Sequence, residues 1–315
     1  MADGPRCHYL VTGGCGFIGS HLVDALLSKG HRVTVLDDLS TGRAANLASG
    51  ARLIEGDIRD PQIRARAIEG TDGVFHLAAI ASVQKCIEDW AASSAVNHLA
   101  SVAVFELAAA AKIPVVYASS AAVYGEQAPP MSEDMPAQPL SPYGADKLAI
   151  EQQAAAGASC RELRSCGLRL FNIYGPRQDP ASPYSGVIAI FMDRIARGQP
   201  VTIFGDGKQT RDFVFVGDVA QTFVRAMADL QAADGPCAEI ENVGRGIGVD
   251  LITLAKTVGT VTGNRVETVH RLARTGDIRL SASSPPDRFK DILKTDLETG
   301  LRALYGSIGL MPASS

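Results

Sequence analysis

The sequence predicts an α/β protein with a doubly wound parallel sheet and a smaller mixed α/β C-terminal lobe. In the first half of the chain, short apolar runs alternate with longer segments of helical periodicity, as in successive β-α-β units. A cluster of glycines separates the first apolar run from the first helical segment. After residue 171, prolines, glycines and short strands become frequent, which indicates a second, loop-rich lobe.

The strands predicted in the first half are short apolar runs that turn residues separate from the helices. They occupy residues 8–12, 32–36, 51–55, 73–77, 113–118 and 166–171. The predicted helices occupy residues 17–28, 61–69, 91–111 and 142–157. Along the third helix, apolar side chains recur at intervals of three or four residues, which predicts one buried face, made of Val96, Leu99, Ala103 and Leu107.

The second half has the same kinds of element in a less regular order. Its strands are predicted at residues 200–204, 212–216, 237–243 and 265–269, and its helices at 186–197, 217–230 and 249–261. A chain of 315 residues is long enough for two domains. We therefore expect a first domain at 1–171, to which some later segments return, and a second, substrate-binding lobe formed mainly by 172–315.

Composition excludes several classes of protein. With 46% hydrophobic and 20% charged residues, the chain is neither disordered nor fibrous. The net charge is −4 and the basic residues are scattered, so no nucleic acid partner is expected. No run of about 18 apolar residues and no signal peptide is visible, so we expect a cytoplasmic protein without a membrane partner. The six cysteines include no C-x-x-C pair, and no metal site is predicted.

A glycine cluster follows the first predicted strand and opens the first predicted helix. It reads Thr-Gly-Gly-Cys-Gly-Phe-Ile-Gly over residues 12–19. It satisfies G-x-G-x-x-G, and also the variant with one more residue that begins at Gly13 and continues through Gly16 and Gly19. In either register the glycines allow a tight turn, a close approach of the backbone to a pyrophosphate, and close packing of helix on strand. The cluster predicts a dinucleotide site of the Rossmann type.

Two carboxylates strengthen this prediction. Asp37 ends the second predicted strand, 18 residues after Gly19, where a carboxylate accepts hydrogen bonds from the adenosine ribose. Its negative charge repels a 2′-phosphate and so favours NAD over NADP as the cofactor. Arg43 lies close in the sequence and could favour the opposite choice, but a solvated loop arginine is the simpler interpretation. Asp57 ends the third strand region and is suited to the adenine amino group.

A tyrosine and a lysine four residues apart form the candidate catalytic pair. Tyr143 and Lys147 lie in a predicted helix whose start is signalled by Ser141 and Pro142. Residues i and i+4 share a helix face, so Lys147 can lie beside the phenol and lower its pKa, which makes Tyr143 a candidate general base. Ser120 lies at the carboxyl edge of the fifth strand, where open α/β sheets bind ligands, and is the candidate hydroxyl partner of Tyr143.

These motifs, in this order, resemble the extended short-chain dehydrogenase/reductase superfamily and its NAD-dependent epimerase/dehydratase family. The likeness runs from residue 8 to residue 280 and includes TGGCGFIG, LDDLSTG, EGDIRD, FHLAA, SSAAVYGE, SPYGADK, LRLFNIYGPRQ and FGDGKQTRDFVFVGDVA. Within the family, the chain is similar to the UDP-sugar 4-epimerases of the UDP-glucose/UDP-N-acetylglucosamine type. The resemblance implies NAD as cofactor, a UDP-sugar as substrate, and a homodimer formed through the helices at 91–111 and 142–157.

The resemblance also implies roles for residues in these motifs. Cofactor contacts are implied for Gly13, Gly16, Phe17, Ile18, Gly19, Asp37, Asp38, Ser40, Thr41, Gly42, Asp57, Ile58, Leu77, Ala78, Ala79, Asn97, Ser119, Tyr143 and Lys147. Substrate contacts are implied for Ser82, Ser120, Asn172, Phe204, Arg211, Arg274, Asp277 and Ser281. Among the latter, the two arginines match residues that hold the diphosphate, and the aspartate matches the carboxylate that binds the uridine ribose.

The same resemblance implies the chemistry. Tyr143 removes the proton of the 4-hydroxyl group, Lys147 supports it electrostatically, and Ser120 relays the hydrogen bond. NAD takes the hydride from C4, and the resulting 4-keto sugar turns in the pocket before the hydride returns to its other face. The dehydratases of the superfamily place an Asp-Glu pair after the residue that matches Ser120. Here those positions are Ala121 and Ala122, which disfavours a 4,6-dehydratase, and the glutamate that decarboxylases carry in this loop is missing too.

One position bears on the choice of sugar. Ser281 matches the family's sugar-pocket gate, where a small side chain admits a 2-acetamido group that a bulky aromatic excludes. We therefore expect UDP-N-acetylglucosamine and UDP-N-acetylgalactosamine to be accepted beside UDP-glucose and UDP-galactose. The Asn-Ile-Tyr-Gly-Pro-Arg segment at 172–177 departs from galactose-type enzymes and favours the hexosamine or glucuronate branch. Open alternatives are a UDP-glucuronate or UDP-xylose 4-epimerase, a 4-keto-sugar reductase, and a non-catalytic NAD-binding protein.

Overall fold

A computed structural model describes residues 6–179, 186–273, 278–284 and 287–308. The strands in these ranges are β1 (His8–Thr12), β2 (Arg32–Asp37), β3 (Ala51–Glu55), β4 (Gly73–His76), β5 (Val115–Ser120), β6 (Arg164–Leu170), β7 (Asn172–Tyr174), β8 (Val201–Phe204), β9 (Thr210–Phe215), β10 (Cys237–Val243), β11 (Gly248–Asp250) and β12 (Thr268–Arg271). The α-helices are α1 (Phe17–Ser28), α2 (Pro61–Ile68), α3 (Val83–Glu88), α4 (Trp90–Ser94), α5 (Ala100–Ala111), α6 (Pro142–Arg161), α7 (Val187–Ala196), α8 (Val216–Ala232), α9 (Leu251–Thr262) and α10 (Leu297–Ser307).

The chain divides into two compact units. Unit 1 takes the described residues within 1–125, 136–170 and 220–241. Unit 2 takes those within 126–135, 171–219 and 242–315. Most of α8 and of β10 therefore belongs to unit 1, although both elements come late in the chain.

A seven-stranded sheet forms the centre of unit 1, in the order β10-β6-β5-β4-β1-β2-β3. β1 pairs in parallel with both β2 and β4, and β5 pairs in parallel with both β4 and β6. The strand order reverses between β1 and β4, and open α/β sheets bind ligands at the carboxyl ends of the strands beside such a point. The predicted doubly wound parallel sheet is confirmed.

The predicted buried face of the helix at 91–111 is wrong, because Leu99 is 63% exposed and Val96, Ala103 and Leu107 are only half-buried. A π-helical segment, Ala95–Leu99, joins α4 to α5, and the wider turn of a π-helix changes which side chains face the sheet. The buried residues of this segment and of α5 are Asn97, Ala100, Ser101, Val104, Phe105 and Ala108. The buried side of the helix therefore combines polar side chains with small and large apolar ones.

Within the described ranges, one helix, Trp90–Ala111, is long and apolar enough to cross a membrane, with a mean hydropathy of 1.3. Length and composition alone are weak evidence, because core helices of globular proteins meet the same criterion. Here the helix packs against α6 through α5 and carries Asn97 and Ser101 on its buried side.

Unit 2 contains two small sheets, β11-β9-β7 and β12-β8. β9 pairs in parallel with β7 and antiparallel with β11. Its core is formed by apolar residues of α7, α9 and α10 together with those of the strands, among them Tyr174, Phe191, Ile203, Val258 and Leu301. The strand predicted at 265–269 lies instead at Thr268–Arg271, where it pairs with β8.

Candidate active site

The glycine turn between β1 and α1 is built so that side chains are excluded. Gly13 has a φ of +69°, and a Cβ there would lie 2.8 Å from the backbone nitrogen of Ala78. A Cβ at Gly19 would overlap the carbonyl oxygen of Gly13. Gly16 precedes α1, whose first two residues are Phe17 and Ile18. As a glycine at the N-cap, it offers no side chain to cap the first N–H groups of this described helix. The first N–H groups of α1 are thus available to an anion, and the turn fits the pyrophosphate of a dinucleotide.

Asp37 is held in a fixed orientation at the end of β2. Its carboxylate accepts the backbone N–H of Cys15 at 2.9 Å and that of Leu39 at 2.9 Å. Burial raises the pKa of Asp37, and these two hydrogen bonds oppose the rise. A Cβ at Gly42 would lie 2.9 Å from the carboxylate, so the following loop passes directly against it.

The neighbouring loop residues are more exposed. Asp38 accepts the N–H and the hydroxyl of Ser40 at 3.0 and 2.6 Å, beside Thr41, which is exposed. Asp57, after β3, is paired with the guanidinium of Arg59 at 2.5 Å, and this contact lowers the pKa of Asp57. The next residue, Ile58, is buried in the core, and adenine binding by Asp57 stays a prediction.

A buried histidine that the sequence analysis missed organises the segment after β4. The hydroxyl of Ser101 donates to the carbonyl of Asn97 at 2.7 Å, so Ser101 accepts from Nε2 of His76 at 2.8 Å. Nδ1 of His76 then accepts the hydroxyl proton of Thr12 at 2.7 Å. Burial, followed by the charge of Lys147, lowers the pKa of His76 to about 3, which keeps this neutral tautomer in place.

The same Thr12 hydroxyl sets the position of the predicted cofactor segment 77–79. Its oxygen accepts the N–H groups of Leu77 and Ala78, each at 3.2 Å, and Ala79 follows directly. In the sequence, His76 is visible only as a histidine at the end of a buried strand. A histidine at such a position is commonly a core residue whose ring nitrogens are hydrogen-bonded. Only the contact with Thr12 shows that it orders this segment.

Asn97 and Ser82 bind backbone on either side of α3. The Asn97 amide accepts the N–H of Ile80 at 2.8 Å and donates to its carbonyl at 3.2 Å. It also donates to the sulfur of Cys86 at 3.5 Å and has no exposed surface. Ser82 caps α3 by accepting the N–H of Lys85 at 3.0 Å. These contacts favour a role for Asn97 in holding the loop, while direct cofactor and substrate contacts stay predictions.

The structure brings together Ser120, Tyr143 and Lys147 in unit 1. α6 begins at Pro142, with the hydroxyl of Ser141 accepting the N–H of Gly144 at 3.2 Å. One turn along α6, Nζ of Lys147 lies 5.7 Å from the centre of the Tyr143 ring. The hydroxyl of Ser120, the last residue of β5, lies near enough to the Tyr143 phenol to lower its pKa.

α6 approaches this end of β5 closely. Nζ of Lys147 donates to the carbonyl of Ala118 at 2.7 Å. A Cβ at Gly144 would lie 2.6 Å from the carbonyl of Ala122, so glycine allows α6 to approach the turn after β5. The predicted cofactor residue Ser119 is 2% exposed and donates its hydroxyl to Glu151 at 2.5 Å.

Burial dominates the acid–base behaviour of the pair. It raises the pKa of Tyr143 to about 12, although the nearby hydroxyl of Ser120 lowers it. It lowers the pKa of Lys147 to about 8, against the attraction of Asp146, Cys86 and Glu151. The expected lowering of the Tyr143 pKa is therefore not found in the protein alone, because removing the phenolate from water outweighs the opposing effect of Ser120.

The predicted substrate residues in the described part of unit 2 lie at strand ends and on one loop. Asn172 begins β7 and Phe204 ends β8. Arg211 lies on β9 and donates to the carbonyls of Thr210 and Ile278 at 2.8 and 2.7 Å. Ser281 is 7% exposed. Arg274 and Asp277 lie outside the described residues.

Asp212, next to Arg211, is a buried carboxylate that the sequence analysis did not select. It has no exposed surface and accepts the N–H groups of Arg245 and Gly246, each at 2.9 Å. It also accepts the N–H and the hydroxyl of Ser283 at 3.0 and 2.9 Å. Asp212 thereby fastens the segment that carries Ser281 to β9, and its place beside the predicted arginine was the available signal.

Comparison with known proteins agrees with this arrangement. The model of the NAD dependent epimerase/dehydratase family matches residues 9–244. A UDP-glucose 4-epimerase from Mycolicibacterium smegmatis is 40% identical over 283 residues, which cover 86% of this chain and 88% of that protein.

Two solved structures share the fold over nearly the whole chain. The UDP-glucose 4-epimerase of Thermotoga maritima, solved with UDP-glucose, has a TM-score of 0.89 and 35% identity, with 96% of this chain and 98% of that chain covered. The UDP-N-acetylglucosamine 4-epimerase of Methanobrevibacter ruminantium M1, solved with UDP-N-acetylmuramic acid, has a TM-score of 0.89 and 32% identity, with 98% and 100% covered. The predicted family and cofactor are confirmed. The chain belongs to the NAD dependent epimerase/dehydratase family and is an NAD-dependent enzyme of the isomerase type.

Proposed function

We propose that this enzyme interconverts the C4 epimers of a UDP-sugar, with UDP-glucose and UDP-N-acetylglucosamine and their epimers as substrates. The observation that carries the proposal is the meeting of Ser120, Tyr143 and Lys147 at the carboxyl end of β5. The glycine turn and Asp37 lie at the same edge of the sheet, after β1 and β2.

The residues of unit 1 are suited to moving the proton of a sugar hydroxyl. NAD, when bound, accepts a hydride at C4, returns it, and brings a positive charge to the site. Tyr143 takes the 4-hydroxyl proton, and Ser120 hydrogen-bonds with both oxygens so that the proton crosses a short distance. Lys147 favours the phenolate electrostatically. Because burial raises the pKa of Tyr143, its phenolate is a strong base for the 4-hydroxyl proton, and the positive charge that NAD brings would favour that phenolate.

The turn after β5 favours epimerisation over related reactions. Ala121 and Ala122 form this turn and carry no carboxylate to move protons at C5 or C6. Asp37 opposes a 4-keto-sugar reductase that prefers NADPH, because its buried carboxylate repels a 2′-phosphate. A non-catalytic NAD-binding protein would not need all three catalytic residues.

The residues that bind the UDP-sugar are proposed from the family motif. Arg211 and Arg274 hold the diphosphate, since a guanidinium group binds phosphate oxygens in a bidentate manner. Asn172, Phe204 and Asp277 bind the phosphates, the base and the ribose. Ser281 gates the sugar, and Ser82 lies on the sugar side. The complex of the Thermotoga maritima relative with UDP-glucose supports the substrate class.

We also propose that the enzyme is a homodimer whose interface includes the helices at 91–111 and 142–157. Trp90 and Leu99, at the start of the first of these, are 64% and 63% exposed on unit 1. Sedimentation analysis should give twice the mass of one chain.

The proposed activity can be tested on four separate substrates. Purified enzyme is incubated with UDP-glucose, UDP-N-acetylglucosamine, UDP-glucuronate or UDP-xylose without added cofactor, and the C4 epimers are resolved by NMR. We expect turnover of the first two and none with Tyr143→Phe, whereas the matched change Tyr305→Phe on α10 should leave it unaltered. No turnover of any of the four by enzyme with NAD bound would refute the proposal.

A further inference from the structure

α6 binds the end of β5 at two successive residues. Tyr143, Lys147 and Glu151 are spaced by four residues, so they lie along one face of α6. Nζ of Lys147 donates to the carbonyl of Ala118 at 2.7 Å. One turn further along, Oε1 of Glu151 accepts the hydroxyl of Ser119 at 2.5 Å. The next strand residue is Ser120, whose hydroxyl lies near the phenol of Tyr143.

The Glu151 carboxylate is also bound from the neighbouring strand. Arg169 on β6 donates from Nε to Oε1 at 3.0 Å and from Nη2 to Oε2 at 2.7 Å. Its remaining nitrogen, Nη1, donates to the hydroxyl of Tyr124 at 2.9 Å, and its guanidinium carbon lies 4.9 Å from the centre of that ring. Tyr124 follows the short turn that begins after Ser120.

The network therefore anchors the chain on both sides of Ser120. Ser119 precedes it directly, and Tyr124 follows it after one short turn. The four members of the network are almost completely buried, with 2% of Ser119, 0% of Tyr124, 6% of Glu151 and 6% of Arg169 exposed.

A network of this kind is better at fixing geometry than at stabilising the fold. A buried ion pair gains little free energy over well-packed apolar side chains, because both charges are removed from water. Loss of one partner, however, leaves a buried charge without compensation, so each side chain has one favourable arrangement. Such a network restricts movement of the backbone segments that it joins.

We propose that Glu151 is a positioning residue that holds Ser120 in place beside the phenol of Tyr143. It acts through Ser119 on one side of Ser120, and through Arg169 and the ring of Tyr124 on the other. The inference rests on the proposed function, since it concerns the serine and tyrosine assigned there to proton transfer.

The kinetic test compares two changes of glutamate to glutamine. In Glu151→Gln we expect kcat to fall about 10- to 100-fold, because small misplacements of reacting groups have effects of this size. KM for the UDP-sugar and the NAD content should stay within about twofold, since neither the cofactor nor the sugar is bound by Glu151. Glu106→Gln is the matched control, because Glu106 makes an exposed ion pair with Arg161 at 3.3 Å. An unchanged kcat in Glu151→Gln, beside an active parent, overturns the inference.

A structural test separates this inference from the proposed function. Crystal structures of the parent and of both variants give the distance between Oγ of Ser120 and the phenol oxygen of Tyr143. We expect it to lengthen by about 0.5 Å or more in Glu151→Gln only. An unchanged distance refutes the positioning role whatever the substrate, whereas a longer distance in an enzyme that turns over no UDP-sugar refutes the proposed function alone.

A milder variant covers the case in which Glu151→Gln does not fold. Tyr124→Phe removes the link from Arg169 to the turn after Ser120 but leaves the ion pair of Glu151 with Arg169 in place. We expect the distance between Oγ of Ser120 and the phenol oxygen of Tyr143 to lengthen, and kcat to fall while KM is unchanged. Both effects should be smaller than in Glu151→Gln. A kcat that falls only in proportion to the loss of folded protein would indicate a purely structural role and overturn the inference.

Discussion

At the scale of single residues, burial decides which groups carry charge at the candidate site. Lys147 is 4% exposed, and loss of hydration lowers its pKa to about 8. Tyr143 is affected in the opposite direction, because its charged form is the deprotonated one. At neutral pH Tyr143 is therefore a neutral phenol, whereas Lys147 is still mostly a charged ammonium group.

The first prediction concerns Lys147 and the pH dependence of stability. Its pKa is about 8 when folded, against 10.5 ordinarily, so between these values the unfolded chain binds a proton that the folded protein has released. The free energy of unfolding then rises with pH across this window. We expect the parent to gain about 2 kcal/mol relative to Lys147→Met between pH 8 and 10, measured by urea unfolding. If the free energy of unfolding changed with pH in the same way in both proteins, the lowered pKa of the buried Lys147 would be contradicted.

The second prediction concerns Ser281. Its segment is fixed by hydrogen bonds between residues 282 and 284 and the backbone of Met131, and by Asp212. Ser281→Tyr should lower the ratio of kcat/KM for UDP-N-acetylglucosamine to that for UDP-glucose by about tenfold or more, because the ring fills space needed by the acetamido group. Ser284→Tyr in the same segment is the control. An unaltered ratio in Ser281→Tyr would show that this residue is not the gate.

At the scale of elements, the site depends on close approaches between backbone segments. The turn before α1 and the start of α6 both require glycine, at Gly19 and Gly144, because a Cβ would meet a carbonyl oxygen. Such requirements are readable in a sequence as glycines at fixed places beside predicted strands and helices. The sequence does not show which oxygen the glycine must avoid. For Gly144 it is the carbonyl oxygen of Ala122, which belongs to another segment of the chain.

The third prediction tests one of these approaches. Gly19→Ala should lower the free energy of unfolding by about 1 to 3 kcal/mol through overpacking, and should abolish NAD binding by displacing the turn. Gly306→Ala is the matched control, because Gly306 lies in α10 and a Cβ there would have no neighbouring atom within 4 Å. Alanine there should stabilise the helix by about 0.5 to 1 kcal/mol. Calorimetry measures the stability of each variant, and titration measures its affinity for NAD. Equal stability and equal NAD affinity of the two variants would contradict the proposed role of the turn.

Several elements escape prediction from the sequence for physical reasons. α3, β7 and β11 have six, three and three residues, too few to show a period. α10 is long enough to show a helical period, and Asp296 marks its start in the sequence as a capping residue. In the structure, Asp296 accepts the N–H of Thr299 at 2.9 Å. The π-helical segment is a different case, because its burial pattern follows the hydrogen bonds of Asn97 with Ile80, which lies 17 residues away.

At the scale of the whole molecule, each of the two units has its own core. The proposed cofactor and catalytic residues are all in unit 1, where they follow strands at the carboxyl edge of one sheet. The predicted substrate residues are mostly in unit 2, with Ser82 and Ser120 as the exceptions. Binding of NAD is therefore expected to stabilise unit 1.

The fourth prediction follows from this division. NAD added to cofactor-free protein at a hundredfold excess over Kd should raise the free energy of unfolding by about 2.7 kcal/mol. NADP at the same concentration should have a much smaller effect, because Asp37 is buried and oriented beside the predicted ribose site. Thermal unfolding with each nucleotide measures the difference. Equal stabilisation by both would contradict the role assigned to Asp37.

The sequence by itself determined most of the strands and longer helices in unit 1, the glycine turn, and the pairing of Tyr143 with Lys147. These features depend on neighbours within a few residues, where periodicity and spacing decide the outcome. Only the tertiary structure decided that Glu151 meets Ser119 across 32 residues, and that Asp212 meets Ser283 across 71. It also decided the direction of the Tyr143 and Lys147 pKa shifts, because loss of hydration depends on everything packed around a group.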